Sequence, residues 1–432
     1  MTIYSAMNSG VSGLAAQSTK FSTISDNISN SSTIGYKRTD VQFSTMVTGA
    51  SIPGSYSAGG LQSDVRSETT IQGTVQSTAT STDLAISGSG FFVVSDTVAR
   101  DAVKSPDMLL TRAGSFRVDD EGNLVNAAGY YLQGWPLNND GTVAGGEPSR
   151  TSFTNLQTVT LTSITGMAQA TTQIDLAANL PASKTGEIPA TAFSTSVDYF
   201  TPLGFTSKLE LEWVPTAPAA PPAGGTATPT NNWTLNIKDN GVVRQSVSIK
   251  FNDGITALPA GRIASITPAT DGVISLTTSS GQPLKINIGQ GGNGLTQFGS
   301  QYVPSKISKD GAAYAALDRI EVGKDGIVTA IYGNGLRQSI YKLPLATVIN
   351  ADGLTGVGGN AYQLSRDSGD VYLWDAGAGS TGTISGGALE ASNVDIAKEL
   401  TSIIETQRAY SSCAKIIQTA DEMMTEISNL MR

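Results

Sequence analysis

Few residues in this chain are placed to do chemistry. The run GQGGNG, residues 289–294, matches the dinucleotide-binding spacing G-x-G-x-x-G, and a strand-like LKINI precedes it as that fingerprint requires. The sequence after it, LTQFGSQYV with Pro304 close behind, does not read as a helix, so no helix N-terminus is expected to hold a pyrophosphate. The run reads as a glycine-rich loop. Asp119, Asp120 and Glu121 gather three carboxylates, the raw material of a calcium loop. Gly122 falls at the fourth position instead of the sixth, and no glutamate follows at the twelfth, so a solvated hairpin turn is the expectation. Cys413 is the single cysteine and there is no histidine, which removes most zinc, copper and iron sites and the triads built on imidazole. Cys413 sits among helix formers in SSCAKII and reads as a small packing residue. No catalytic residue, metal ligand or cofactor is expected.

Composition narrows the class further. A net charge of −9 argues against nucleic acid, whose binders carry clustered Lys and Arg. No run approaches the roughly 18 apolar residues of a membrane-spanning helix, so no membrane insertion is expected. The first twenty residues carry one charge, Lys20, and no apolar core of a signal peptide, so no cleaved secretory signal is expected either.

The two ends differ from everything between them. Ile3, Met7, Gly10, Leu14, Gln17, Phe21, Ile24 and Ile28 step by four and three, a coiled-coil-like stripe that ends near Asn30. Leu400, Ile403, Gln407, Tyr410, Ala414, Ile417, Asp421, Met424, Ser428 and Met431 step the same way, and the segment from about Asn393 to the end reads as one long amphipathic helix. Two helices burying only each other would leave apolar flanks exposed, which marks an interaction surface. Repeated head-to-tail contacts that do not close would build a filament.

From about Thr78 to Gly387 the pattern is β. Short apolar runs such as LAISGSGFFVV and LPLATVI alternate with Asn-Gly and Asp-Gly dipeptides at 140, 240, 253, 271, 310, 325, 334 and 352. Those dipeptides suit tight hairpins. FRVDDEGNLV and IEVGKDGIVT place a turn between similar flanks and read as a repeated hairpin, a pattern that also recurs by chance. The run PTAPAAPPAGGTATPT, residues 215–230, reads as a long exposed loop inside a middle domain.

Three motifs carry a family resemblance. SDNISNSSTIGYKR (25–38) resembles the Asn-Asn-Ile-Ala-Asn…Thr-x-Gly-Phe-Lys signature of the flagellar axial proteins, the rod, hook and hook-associated subunits; Asn27, Asn30, Gly35, Tyr36 and Lys37 fall on it. TDLAISGSGFFVV, followed by TRAGSFRVDDEGNLVNAAGYYLQGW, is similar to a second family block. GALEASNVDIAKEL, with Asn393, Val394 and Asp395, opens a third. Within the family, TSVDYFTPLG, NNWTLNIKDNG, GLTQFGSQY and the stretch 331–362 are similar to the hook subunits.

What the resemblance implies is a mainly β fold with helical ends. Residues 1–30 and 388–432 would pair as a coiled-coil-like inner domain, and 31–77 would connect. A discontinuous β domain, 78–145 and 295–387, would form a tube wall. An outer β domain, 146–294, would be inserted into it. The implied function is structural, a non-enzymatic subunit of a hollow flexible tube that carries torque. Its implied partners are copies of itself, the distal rod protein, the hook cap, the first hook–filament junction protein and the flagellar type III export apparatus, and its place is the extracellular flagellum. Assembly would fall to Ile3, Met7, Leu14, Phe21, Ile24 and Ile28 at one end, and to Leu400, Ile403, Tyr410, Ile417, Met424 and Met431 at the other. A distal-rod subunit and a phage-tail or adhesin-like β fibre are the alternatives.

Overall fold

The computed structural model describes residues 3–46, 59–98, 107–161, 166–187, 189–218, 229–255, 259–269, 271–289 and 294–430. Two compact units divide the chain. The first holds Met1–Ser163, Arg319–Ile331 and Arg337–Arg432, and the second holds Ile164–Asp318 and Tyr332–Leu336.

Both ends of the chain belong to the first unit. Helix α1 spans Ile3–Ser29 and helix α2 spans Ile396–Leu430. Between them lies a β body centred on the strand Phe91–Ser95, every residue of which is buried. That strand pairs from Phe92 to Ser95 with Met108–Thr111, and its other edge passes from Pro344–Val348 at Phe91 and Phe92 to Tyr131–Pro136 at Val94 and Ser95. Burial on both faces explains why FFVV is a continuous apolar run and not an alternating one. Phe91, Val93, Trp135, Tyr362, Val371 and Leu373 close the core around it.

The repeated hairpin is a repeat in backbone geometry. Asp119 N–H donates to the Asn123 carbonyl and Gly122 N–H to that of Asp119; Gly323 N–H donates to Ile327 and Gly326 N–H to Gly323 in the same pattern. Asp119 also accepts from the Asn123 backbone N–H at 2.6 Å and its side-chain amide at 3.0 Å. That carboxylate is committed to its own turn, which is the solvated-turn reading and not the calcium one.

The second unit is built from two sheets. One is an antiparallel meander of Phe193–Phe200, Thr206–Pro215, Asn232–Asp239, Val242–Phe251 and Ile263–Thr267. The other assembles Gln173–Pro181, Val273–Thr277, Pro283–Asn287, Thr296–Phe298 and Val303–Lys309. Strand 232–239 alternates half-buried and buried residues without a break, the period-2 signature of a sheet with one face on the core. Trp213, Trp233, Tyr199 and Phe251 fill that core.

Three features differ from the sequence reading. Strands Thr296–Phe298 and Val303–Lys309 pair with Gln173–Pro181, so the expected boundary at 294/295 falls inside the second unit. Residues 31–77 are more than a connection. Strands β1 (Thr39–Thr45) and β2 (Leu61–Ser67) form a seven-pair antiparallel ladder lying along α1. The dipeptides at 271, 310 and 352 are not hairpin turns, since Asp271 lies between strands of two different sheets, Asp352 sits in a 3-10 turn and Asp310 caps a strand start. Most of the Pro/Ala/Gly loop, 219–228, and residues 290–293 of GQGGNG lie outside the described residues. The backbone after Gly294 runs into strand Thr296–Phe298, not a helix.

Candidate assembly site: the helical pair and its root

α1 and α2 run antiparallel, Gly10 beside Ile417 and Phe21 near Thr406 and Tyr410. Their seam is made of small side chains. On α1 it uses Gly10 and Gly13, both buried; Ala16 is buried as well. A Cβ on Gly13 would lie 3.0 Å from Cys413 Sγ, and one on Gly10 would lie 3.1 Å from Ile417 Cγ1. Each glycine costs a helix about 1 kcal/mol relative to alanine, and here close approach of the two helices is what it provides. On α2 the buried row is Glu399, Thr406 and Ala420, with Cys413 half-buried between them.

That row is a correction to the expected stripe. Ile403, Ile417 and Met424 are half-buried, but Leu400 and Tyr410 are 51% and 47% exposed. On α1, Ile24 is buried, Met7, Leu14 and Ile28 are half-buried, and Phe21 is exposed. The Ile3 side chain and Met431 lie outside the described residues. One physical reason is the glycine pair, which brings Cys413 and Ile417 against the α1 backbone. The other flank of α1 is covered by the β1–β2 hairpin. Ser12 Oγ accepts from Leu61 N–H at 3.1 Å, and Lys20 lies 5.6 Å from the Phe43 ring centroid.

At the root of the pair the family motifs meet. Asn27, fully buried, donates to the Thr39 carbonyl at 2.8 Å, accepts Thr39 N–H at 2.9 Å, and takes the Tyr36 hydroxyl at 3.1 Å. Asn30 donates to the Asp26 carbonyl and accepts from Thr33, closing the end of α1. Gly35 has φ +68°, and a Cβ there would sit 2.5 Å from Ala113 N, so only glycine fits. Its N–H donates to the Glu390 carbonyl.

Two buried ionic clusters follow. Lys37 Nζ lies 2.6 Å from Glu390 Oε1 and donates to the Ile71 carbonyl, while Arg112 Nη1 lies 3.0 Å from Glu390 Oε2. Arg38 Nε lies 2.5 Å from Glu399 Oε1, and Nη1 lies 3.0 Å from Glu68. Burial pulls Lys37 and Arg112 below their ordinary values, against the opposing pull of Glu390. Burial also works to lower Arg38, but Glu399 and then Glu68 outweigh it and hold it above. Asn393 accepts the Arg38 backbone N–H at 2.6 Å and donates to the carbonyls of Glu68 and Ile71. Val394 is half-buried beside it. Asp395 caps α2, accepting from Ala397 N–H at 2.9 Å.

Arg38, Arg112, Glu390 and Glu399 were not singled out in the sequence. Their signal was there: only 15% of residues are charged, yet the first and third family motifs each carry charge inside an otherwise apolar or small-residue run. Among the described residues no group of three or more acidic or cysteine side chains is placed to hold a metal ion, and no helix is long and apolar enough to cross a membrane.

Helical ends joined by a buried polar root to a β body, with both signature motifs at that root, define the class of flagellar axial proteins. Family models match in the same order: Flagella basal body rod protein over residues 7–37, Flagellar hook protein FlgE/F/G D1 domain over 85–197, and Flagellar basal body rod FlgEFG protein C-terminal over 385–430. The chain is 35% identical over 439 residues to the flagellar hook protein FlgE of Brucella abortus biovar 1 (strain 9-941), covering all of both chains. It is 36% identical over 445 residues to that of Rhizobium meliloti (strain 1021), again over all of both. With the flagellar hook protein FlgE of Escherichia coli (strain K12) it shares 28% over 441 residues, 98% of this chain and 100% of the other. The chain belongs to the flagellar hook protein family. The crystal structure of Helicobacter pylori flagellar hook protein FlgE2 aligns with a TM-score of 0.46 at 15% identity, covering 72% of this chain and 98% of that one.

Proposed function

We propose that this chain is the structural, non-enzymatic subunit of the bacterial flagellar hook and polymerises through the outward faces of its two terminal helices. The observation that carries the reading is the apolar surface those helices leave uncovered. Val11 and Phe21 on α1, and Leu400, Ile404 and Tyr410 on α2, are all exposed although other side chains fill the seam. Burying such rows on further copies would release apolar surface from water at about 25 cal/mol per Å². A head-to-tail contact that does not close yields an open helical polymer.

In this reading the helical pair lines the channel of a hollow, flexible tube, and the β units form its wall and outer surface. The tube acts as a joint that transmits torque from the rod to the filament. The remaining partners are the distal rod protein, the hook cap, the first hook–filament junction protein and the flagellar type III export apparatus, which would deliver the chain outside the cell without a cleaved signal. Electron microscopy of the purified subunit tests the central claim. Short curved tubes are expected, and Leu400→Asp with Tyr410→Asp should abolish them, because a buried unpaired charge is prohibitive. Tubes that persist in that variant would refute the helical interface.

A further inference from the structure

We propose that the Arg38–Glu399 ion pair fixes the roll of α2 about its own axis, and so decides which of two competing rows faces α1. The two rows lie one residue apart, about 100° around the helix. One is Glu399, Thr406, Cys413 and Ala420, which the structure buries or half-buries. The other is Leu400, Gln407, Ala414 and Asp421, which shares the same flanking Ile403, Ile417 and Met424 and begins with the more apolar residue. At the first position hydrophobicity favours the second row, since the first begins with a glutamate. Beyond it the first row is the less polar, with Thr406, Cys413 and Ala420 against Gln407, Ala414 and Asp421, so the first turn is where an added determinant is needed.

Glu399 is 0% exposed and sits in the first turn of α2, where the helix leaves the β body. Its Oε1 takes the Arg38 Nε–H, and its Oε2 accepts no hydrogen bond. A buried ion pair of this kind adds little net stability over an apolar pair, and its best-attested use is to choose one register among several. Arg38 is itself held by Glu68 and by the Asn393 side chain, so the pin stands on the root and not on α2 alone. A helix is rigid along its length, so a pin in the first turn sets the roll at Cys413 and Ala420 as well. The consequence rests on the assembly reading above: with this roll, Leu400 and Tyr410 stay outward, where another copy meets them. Arg38 and Glu399 are positioning residues for that surface.

The native cysteine supplies the test. A Cβ on Gly13 would lie 3.9 Å from Cys413 Cβ, inside the range a disulfide requires. The full-length subunit carrying Gly13→Cys is oxidised mildly in solution, and the 13–413 bond is mapped by peptide mass. A second chain with Gly13→Cys, Cys413→Ser and Ala414→Cys reports the rolled state. The parent should form 13–413 readily and 13–414 poorly. Adding Glu399→Lys should slow 13–413 by about tenfold and raise 13–414, because rolling moves one Cβ out of range and the next one in. Glu399→Gln, which still accepts from Arg38, should keep the parental choice. The double change Arg38→Met with Glu399→Ala leaves no buried unpaired charge, so it guards against a variant that merely unfolds, and it should switch partners too. An unchanged preference for 413 in both pin-removing variants would overturn the proposal, as would a parent that fails to form 13–413. The readout needs no polymer. Tubes without a partner switch would refute this inference alone, and a switch without tubes in the parent would refute the assembly reading alone.

Discussion

The helical seam and the core of the second unit solve the same problem in opposite ways. The second unit packs its core with large side chains, Trp213, Trp233 and Tyr199 at 0% exposure, although Leu203 and Phe205 stand exposed outside that core. The helical pair buries Gly10, Gly13, Ala16 and Ala420 and turns Phe21, Leu400 and Tyr410 to the surface. The first of these is filled by side chains of its own unit. The second holds back most of its apolar surface, and its interior relies on close backbone approach and on ion pairs at the root. A packed core and the helical surface proposed to join copies therefore carry different distributions of the same residue types.

The largest expected effect is in the self-sufficient core. Trp233→Ala should destabilise the second unit by about 3–5 kcal/mol, the usual result of emptying an aromatic site in a packed interior. Chemical denaturation followed by tryptophan fluorescence measures it. The helical region should be spared, read as unchanged far-UV helix signal below the new transition. If that signal melted together with the sheet signal, the two regions would not be independent.

Overfilling the seam ranks second. Gly13→Val places branched carbon against Cys413 Sγ, which already lies 3.0 Å from where a Cβ would stand. A cost of about 1–3 kcal/mol is expected from overpacking, measured as a lowered thermal midpoint of the helix signal. By contrast, Leu400→Ala should change the stability of the subunit by less than about 0.5 kcal/mol, as for other exposed positions. The same change should still weaken tube formation. Equal stability losses at Gly13 and Leu400 would erase the distinction between an inward and an outward row.

Much of this contrast was legible beforehand. Helical ends around a β body follow from periodicity: steps of three and four at residues 3–28 and 400–431, and alternation in segments such as NNWTLNIKDNG. The motif residues Asn27, Gly35, Lys37 and Asn393 do converge, because sequence-distant segments close on one root. What periodicity missed was the facing row. A stripe is read by counting large apolar residues, and counting favours Leu400 and Tyr410. The determinant is instead a pair of glycines on the other helix and a glutamate pinned from Arg38, both long-range facts. The hairpin Thr39–Thr45 with Leu61–Ser67 was missed for a related reason: its strands alternate weakly, since only Val41 is buried. The boundary near 294 failed because pairing of Val303–Lys309 with Gln173–Pro181 leaves no compositional mark.

Acid provides the finest discrimination between the two regions. Asp310, in the second unit, accepts from the Thr172 and Gln173 backbone N–H groups at 2.8 and 3.0 Å and from the Thr172 hydroxyl. Partial burial works to raise this carboxyl, but those donors outweigh it and hold the group below its ordinary 3.8. An acid depressed in the folded state binds fewer protons there than in the unfolded chain. Its contribution is therefore fully present above 3.8 and is lost as pH falls through the lower folded value. Because Asp310 is exposed, the effect should be small. Asp310→Asn should leave the second unit slightly less stable at neutral pH and flatten its stability between neutrality and pH 3, measured by urea denaturation across that range. The helix signal should not respond to this substitution at any pH, since among the described residues the hydrogen bonds of Asp310 go to Thr172 and Gln173. A helix signal that followed the substitution would show that the root and the second unit share a titrating contact.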